Sequence, residues 1–236
     1  MAVLAHEGSE KIMYDVTAIP LGASTVDGYL ARPDLLGSVP CVVVLHGGRG
    51  PLPYERALCR TLARHGYAAI APDLFRGGRF GPEGLPLSAA RALTDIGEVI
   101  EFLDSEDTPW ADPTRVVLLG YDAGGRLALS YASRNSSVGG VVTISGPLAA
   151  VSKGSLTASD EVGRINGAIL GLYGAKDQGV SLEDIDAAQG LTNNGTWIVY
   201  ESAGHGFIDS GSEEFDAGAE ADALQRILAL LRAIFR

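Results

Sequence analysis

From Ile12 to Pro33 apolar and polar residues alternate on both sides of Leu21-Gly22-Ala23-Ser24, which predicts two half-buried strands joined as a hairpin at a sheet edge. The pattern then changes. Cys41 to His46 is an unbroken apolar run of strand length, Tyr54 to His65 has helical spacing, and Tyr67 to Ala71 is apolar again and stops at Pro72. The alternation continues with a helix near Leu87 to Asp104, a strand over Val116 to Gly120, a helix over Gly124 to Ser133 and a strand over Gly140 to Ser145. Strands over Ala168 to Tyr173 and Trp197 to Glu201 follow. A final helix, Phe215 to Phe235, sets Leu224, Ile227, Leu228 and Leu231 on one face.

Apolar strands separated by helices predict the α/β class, with a mostly parallel central sheet flanked by helices after the N-terminal hairpin. The Gly-rich stretch Gly77 to Gly84 is too short to link two domains and reads as a loop. No internal repeat appears, so residues 1–236 are expected to form a single domain. Only about 20 residues, Gly146 to Gly167, separate the sixth and seventh strands, which leaves no room for a separate lid domain and predicts an open site.

Composition narrows the function classes. Nearly half of the residues are apolar and the charged fraction is ordinary, as a folded core requires. The formal charge of −11 argues against nucleic acid, whose phosphates need a surplus of Lys and Arg on one face. No apolar run reaches the roughly 20 residues needed to span a bilayer, and MAVLAHEGSEK lacks the basic start of a signal peptide. The expectation is a cytoplasmic protein acting on a small-molecule substrate, with no nucleic-acid or membrane partner and a homodimer left open. Cys41 and Cys59 lie in apolar runs and read as small buried thiols. His6, His46, His65 and His205 are scattered without ligand spacing, so no metal and no cofactor is expected.

The sharpest chemical signal is Gly120-Tyr121-Asp122-Ala123-Gly124-Gly125, which follows an apolar strand and opens a helix. Glycines on both sides permit a strained turn, so the side chain at 122 projects at the carboxyl end of the sheet with helix N–H groups behind it. Asp is also a common helix cap, and the hexapeptide alone does not separate the two readings. The downstream chain does. Asp177 in Tyr173-Gly174-Ala175-Lys176-Asp177 and His205 in Ala203-Gly204-His205-Gly206-Phe207 each follow a strand, in the order nucleophile, acid, histidine. His205 is expected to bridge the two carboxylates. After the first parallel strand, His46-Gly47-Gly48 makes a turn of small residues, and the N–H groups of Gly48 and Ala123 form a candidate oxyanion hole. Around the cleft the candidate substrate contacts are His46, Arg49, Tyr54, Arg76, Arg79, Tyr121 and Tyr173.

Over nearly its whole length the chain resembles the dienelactone hydrolase family of α/β-hydrolases. The resemblance is carried by Val42-Val43-Val44-Leu45-His46-Gly47-Gly48, Gly66-Tyr67-Ala68-Ala69-Ile70-Ala71-Pro72-Asp73-Leu74-Phe75, the hexapeptide around Asp122, Gly174-Ala175-Lys176-Asp177, and Tyr200-Glu201-Ser202-Ala203-Gly204-His205-Gly206-Phe207. It implies a compact α/β-hydrolase fold without a lid that hydrolyses small esters or lactones through a Cys or Ser, a His and an Asp. Asp177 and His205 match the acid and the base. Asp122 departs from the pattern at the nucleophile. Family members that open dienelactone carry a Glu in the first oxyanion loop, where this chain has Gly47, and an Arg four residues after the His, where it has Asp209.

A carboxylate that attacks an ester carbonyl makes a high-energy mixed anhydride, whereas attack on an sp³ carbon makes an ordinary ester. The set resembles epoxide hydrolases and haloalkane dehalogenases, with Asp122 as nucleophile, His205 activating water and Asp177 orienting His205. Epoxide opening through an alkyl-enzyme ester is therefore the leading expectation, with Tyr54 and Tyr173 as candidate acids. It ranks above dehalogenation because Trp110 and Trp197 are not placed by sequence to receive a halide. Hydrolysis of an ester or lactone is the alternative. A scaffold that binds a ligand, or guides a rearrangement with Asp122 as base, is a third class, and a site variant of a natural Cys or Ser at 122 also stays open.

Overall fold

In the computed structural model, which describes residues 8–76, 89–149 and 158–236, the alternating N-terminal segment forms β1 (Ile12–Leu21) and β2 (Ser24–Pro33). The two pair antiparallel from Ile12↔Pro33 to Leu21↔Ser24, and the turn relies on Gly22 at φ +61°. The apolar runs follow as β3 (Val39–Leu45) and β4 (Ala68–Pro72), separated by α1 (Pro53–Arg64). Next come α2 (Ala89–Leu103), β5 (Ala111–Tyr121), α3 (Ala123–Ala132) and β6 (Gly140–Ile144). The chain ends with α4 (Ala158–Val162), β7 (Ala168–Gly174), α5 (Leu182–Gly190), β8 (Gly195–Tyr200) and α6 (Ala217–Ile234). Hydrogen bonding orders the strands β1-β2-β4-β3-β5-β6-β7-β8 in one mostly parallel sheet, the α/β-hydrolase arrangement.

The chain divides into two compact units, Met1–Val117 and Leu118–Arg236, so that β5 begins in the first and ends in the second. In the first, β4 pairs antiparallel with β2 and parallel with β3, and α1 packs on these strands. Pro53 opens α1, where its missing N–H costs nothing, and Glu55 Oε2 accepts the N–H of Leu52 at 2.7 Å. At the outer strand the N–H of Val16 donates to Asp15 Oδ1 at 2.8 Å. In the second unit β6, β7 and β8 run parallel, with α3 packed on β6 and α6 on β7. Leu224, Ile227, Leu228 and Leu231 of α6 are buried, the stripe expected from their spacing. Burying each of them fully stabilises the fold by about 1.5–3 kcal/mol.

Two helices that the apolar pattern does not reveal are α4, only five residues long, and α5. The latter buries just Ile185 and Ala188 and starts on Ser181, whose side chain accepts the N–H of Asp184 at 3.1 Å. The expected loop Gly77 to Gly84 lies outside the described residues, and so does part of the short Gly146 to Gly167 connection. Cys41 and Cys59 are buried free thiols, as their sequence context suggested, and burial pushes the Cys41 thiol up to about 12. Among the described residues no helix is long and apolar enough to cross a membrane, and no group of three or more His, Cys, Asp or Glu is placed to hold a metal.

Candidate active site

The site is built where β5, β6, β7 and β8 end, all within the second unit. At the end of β5 the backbone of Asp122 adopts φ 51° and ψ −122°, a region a residue with a side chain rarely enters. Its N–H is tied to the Ile144 carbonyl at 2.9 Å, and its own carbonyl accepts the N–H of Arg126 at 3.2 Å to start α3. The turn is so tight that a Cβ on Gly120 would lie 2.2 Å from the carbonyl carbon and oxygen of Gly124. Glycine is thus required at 120, and the carboxylate at 122 is pushed outward with 28% of its side chain exposed. Such strain marks a functional turn more often than an ordinary helix cap, and the Asp122 side chain makes no cap hydrogen bond to α3.

His205 lies on the turn after β8, with Asp177 on the turn after β7. The imidazole Nδ1 donates to Asp177 Oδ2 at 2.9 Å, and Nε2 faces Asp122 Oδ1 at 3.8 Å. Asp177 has no exposed side-chain surface, whereas His205 keeps 35% of its own. One end of the ring is therefore anchored on a buried carboxylate and the other faces Asp122. The hydrogen bond to Asp177 holds the imidazole above its ordinary protonation range, against burial that lowers it, and the charges of Asp177, Asp122 and Glu214 add to the rise.

The loop that presents His205 is closely held. The 203 carbonyl accepts the N–H of Lys176 at 2.9 Å, and the N–H of Gly206 donates to Glu214 Oε2 at 2.9 Å. The carbonyl of His205 itself accepts the Ser145 hydroxyl at 2.9 Å, with the Tyr121 hydroxyl at 3.4 Å. Sequence reasoning missed Ser145. The signal available was a polar residue next to Gly146 at the end of an apolar strand, a context close to that of Asp122, which has Gly120 and Gly124 two residues away on either side.

Of the other candidates, Tyr121 is buried with its ring tilted against His205, the centroids 5.5 Å apart. Ala123 begins α3 directly behind Asp122. Gly48, Arg49 and Tyr54 belong to the first unit, Gly48 and Arg49 on the loop after β3 and Tyr54 in the first turn of α1; Arg49 is exposed. Three expected substrate contacts have other partners in the structure. Tyr173 is wholly buried, its hydroxyl 3.5 Å from that of Thr143 and its ring stacked on Trp197 at 6.0 Å. His46 is 3% exposed and both of its ring nitrogens serve the backbone, with Nδ1 on the Gly47 carbonyl at 2.9 Å and Nε2 accepting from the N–H of Leu74 at 3.1 Å. Burial drives its protonation range down. It therefore braces the loop that carries Gly48. Arg76 is committed to the buried Asp95, with Nη2 to Oδ1 at 3.0 Å, and also bonds the Ser24 hydroxyl. Arg79 lies outside the described residues.

Known proteins resemble this chain along most of its length. Carboxymethylenebutenolidases, so named provisionally, from Salmonella typhimurium and Escherichia coli are 30% and 31% identical to it. The alignments cover 95% and 96% of this chain and 89% of each relative. The crystal structure of a provisionally named dienelactone hydrolase from Klebsiella pneumoniae superposes with a TM-score of 0.86 at 28% identity, covering 94% of this chain and 99% of that one. An esterase from Pyrobaculum calidifontis, 19% identical over 98% of this chain and 87% of its own, shares the fold with a TM-score of 0.73. The model of the dienelactone hydrolase family matches residues 26–235, from within β2 to the residue after α6. On this match the chain belongs to the dienelactone hydrolase family and is a hydrolase of that type.

Proposed function

We propose that the protein hydrolyses small esters or lactones, with Asp122, His205 and Asp177 delivering water to the acyl carbon. The observation that carries this reading is the placement of His205, with Nδ1 on Asp177 at 2.9 Å and Nε2 facing Asp122 at 3.8 Å. Asp177 fixes the tautomer that leaves Nε2 free to accept a proton. Neutral His205 takes a proton from water as the water oxygen bonds to the carbonyl carbon. The carbonyl electrons move to oxygen, where the N–H of Ala123 at the start of α3 is a proposed donor. Collapse breaks the bond to the leaving oxygen, which takes the proton back from His205. Asp122, too poor a nucleophile toward an acyl group to favour the anhydride, supports the imidazolium and orients the water.

A second reading is favoured by the carboxylate at 122 itself: opening of an epoxide, in which Asp122 bonds to an sp³ carbon and His205-activated water then cleaves the resulting ester. Burial of Tyr173 removes one of its two candidate proton donors, which places it behind the first. A panel of small esters, lactones and epoxides identifies a substrate. Single turnover in ¹⁸O-water then separates the routes. Direct attack by water puts the label into the product acid and leaves Asp122 unlabelled. The alkyl-enzyme route gives product with ordinary oxygen and label in the peptide that contains Asp122, read by mass spectrometry. Label in Asp122 after ester turnover would overturn the direct-water mechanism.

A further inference from the structure

Ser145 follows β6 and is wholly buried, with φ +50°. A side chain in this left-handed region is strained, and glycine would adopt the same backbone freely. The next residue, Gly146, is a glycine, yet the strained position keeps a hydroxyl. The backbone of Ser145 is fixed by its N–H to the Leu172 carbonyl of β7 at 3.0 Å. Its Oγ donates its single hydrogen to the carbonyl of His205 at 2.9 Å. That carbonyl belongs to the peptide whose N–H, on Gly206, donates to Glu214 Oε2 at 2.9 Å. The peptide that carries the imidazole is thus held at both polar ends, at its carbonyl by the Ser145 hydroxyl at 2.9 Å with the longer Tyr121 contact at 3.4 Å beside it, and at its N–H by Glu214 of the exposed loop after it.

We infer that Ser145 is a positioning residue for His205, its hydroxyl holding the 205–206 peptide so that the imidazole stays between Asp177 and Asp122. The inference rests on reading His205 as the base. Displacement of a catalytic group by about 1 Å can cost up to 10²-fold in rate, so the bond acts on kcat more than on KM. Ser145→Gly separates position from stability, because it relieves the backbone strain while deleting the donor; Ser145→Ala deletes the donor and keeps the strain. Thermal unfolding, p-nitrophenyl acetate hydrolysis across pH, and NMR of the His205 Nδ1 proton are compared in the parent and both variants. Ser145→Gly is expected to melt no lower than the parent, to lose about 10-fold or more in kcat with KM little changed, and to weaken or shift the Nδ1 proton signal. An unchanged kcat and Nδ1 signal in a folded Ser145→Gly protein would overturn the inference. So would losses in both variants that only track the folded fraction. If the parent hydrolyses no ester, the hydrolase reading fails, while the Nδ1 signal still decides the role of Ser145.

Discussion

His205 shows how much one side chain's surroundings set its chemistry. A general base works only when neutral, and the neighbours of this imidazole favour its charged form: first the hydrogen bond to Asp177, then the nearby carboxylates. Activity is therefore expected to rise with pH along a limb whose midpoint lies above the ordinary His value of about 6.5. Glu214→Gln removes one negative charge and keeps an oxygen for the Gly206 N–H, so it should move that limb to lower pH without loss of maximal rate. A pH profile of kcat/KM for the two proteins checks this, and a limb unchanged by the substitution would count against His205 as the titrating base. At this scale the sequence was readable where polar side chains meet in glycine turns: Asp122, Asp177 and His205, which the structure brings together, each follow an apolar run with glycine close by. It did not show that Tyr173 and His46 are buried. Side chains alternate sides along a strand, so a polar residue at a strand end points either to the cleft or into the core, and sequence proximity does not say which.

Elements with a long apolar stripe were legible almost to the residue; α6 is the clearest, because 18 residues repeat its period several times, and the bounds of the hairpin were legible too although β1 buries only Ile19 and Leu21. The short α4 was not, since five residues hold little more than one turn and its anchor is ionic. Glu161 of α4 is 2% exposed and takes both Arg126 and the Ser130 hydroxyl of α3 on Oε2, while Oε1 lies 2.8 Å from Arg134 Nη2. Such a pairing joins residues 35 positions apart and leaves no periodic trace. Removing one member of a buried ion pair strands its partners, so Glu161→Ala is expected to lower stability by roughly 3 kcal/mol. Urea unfolding measures it. Replacement of the exposed Glu183 in α5 is the control, expected within about 0.5 kcal/mol of the parent.

At the scale of the whole molecule, the order of strands was only partly legible: alternation of strand and helix specified a parallel sheet, whereas the placement of β4 between β2 and β3 depends on pairings no local pattern encodes. The expectation of one domain meets a chain with two compact units, and the tryptophans provide a way to ask whether they unfold as one. Trp110 belongs to the first unit, beneath the guanidinium of Arg32 at 5.7 Å from the ring centre. Trp197 belongs to the second, 9% exposed and lying where a Cβ on Gly171 would be, 2.2 Å from the ring. Each unit thus carries its own native fluorophore. Trp110→Phe leaves emission from the second unit alone and Trp197→Phe from the first alone, so two denaturation curves report the two halves separately. For a single cooperative domain the two emission shifts fall at one denaturant concentration, once each variant's stability is referred to far-ultraviolet circular dichroism of the same sample. Separated midpoints would mean that the half bearing Asp122, Asp177 and His205 keeps its light signal, and its site, after or before the other half has opened.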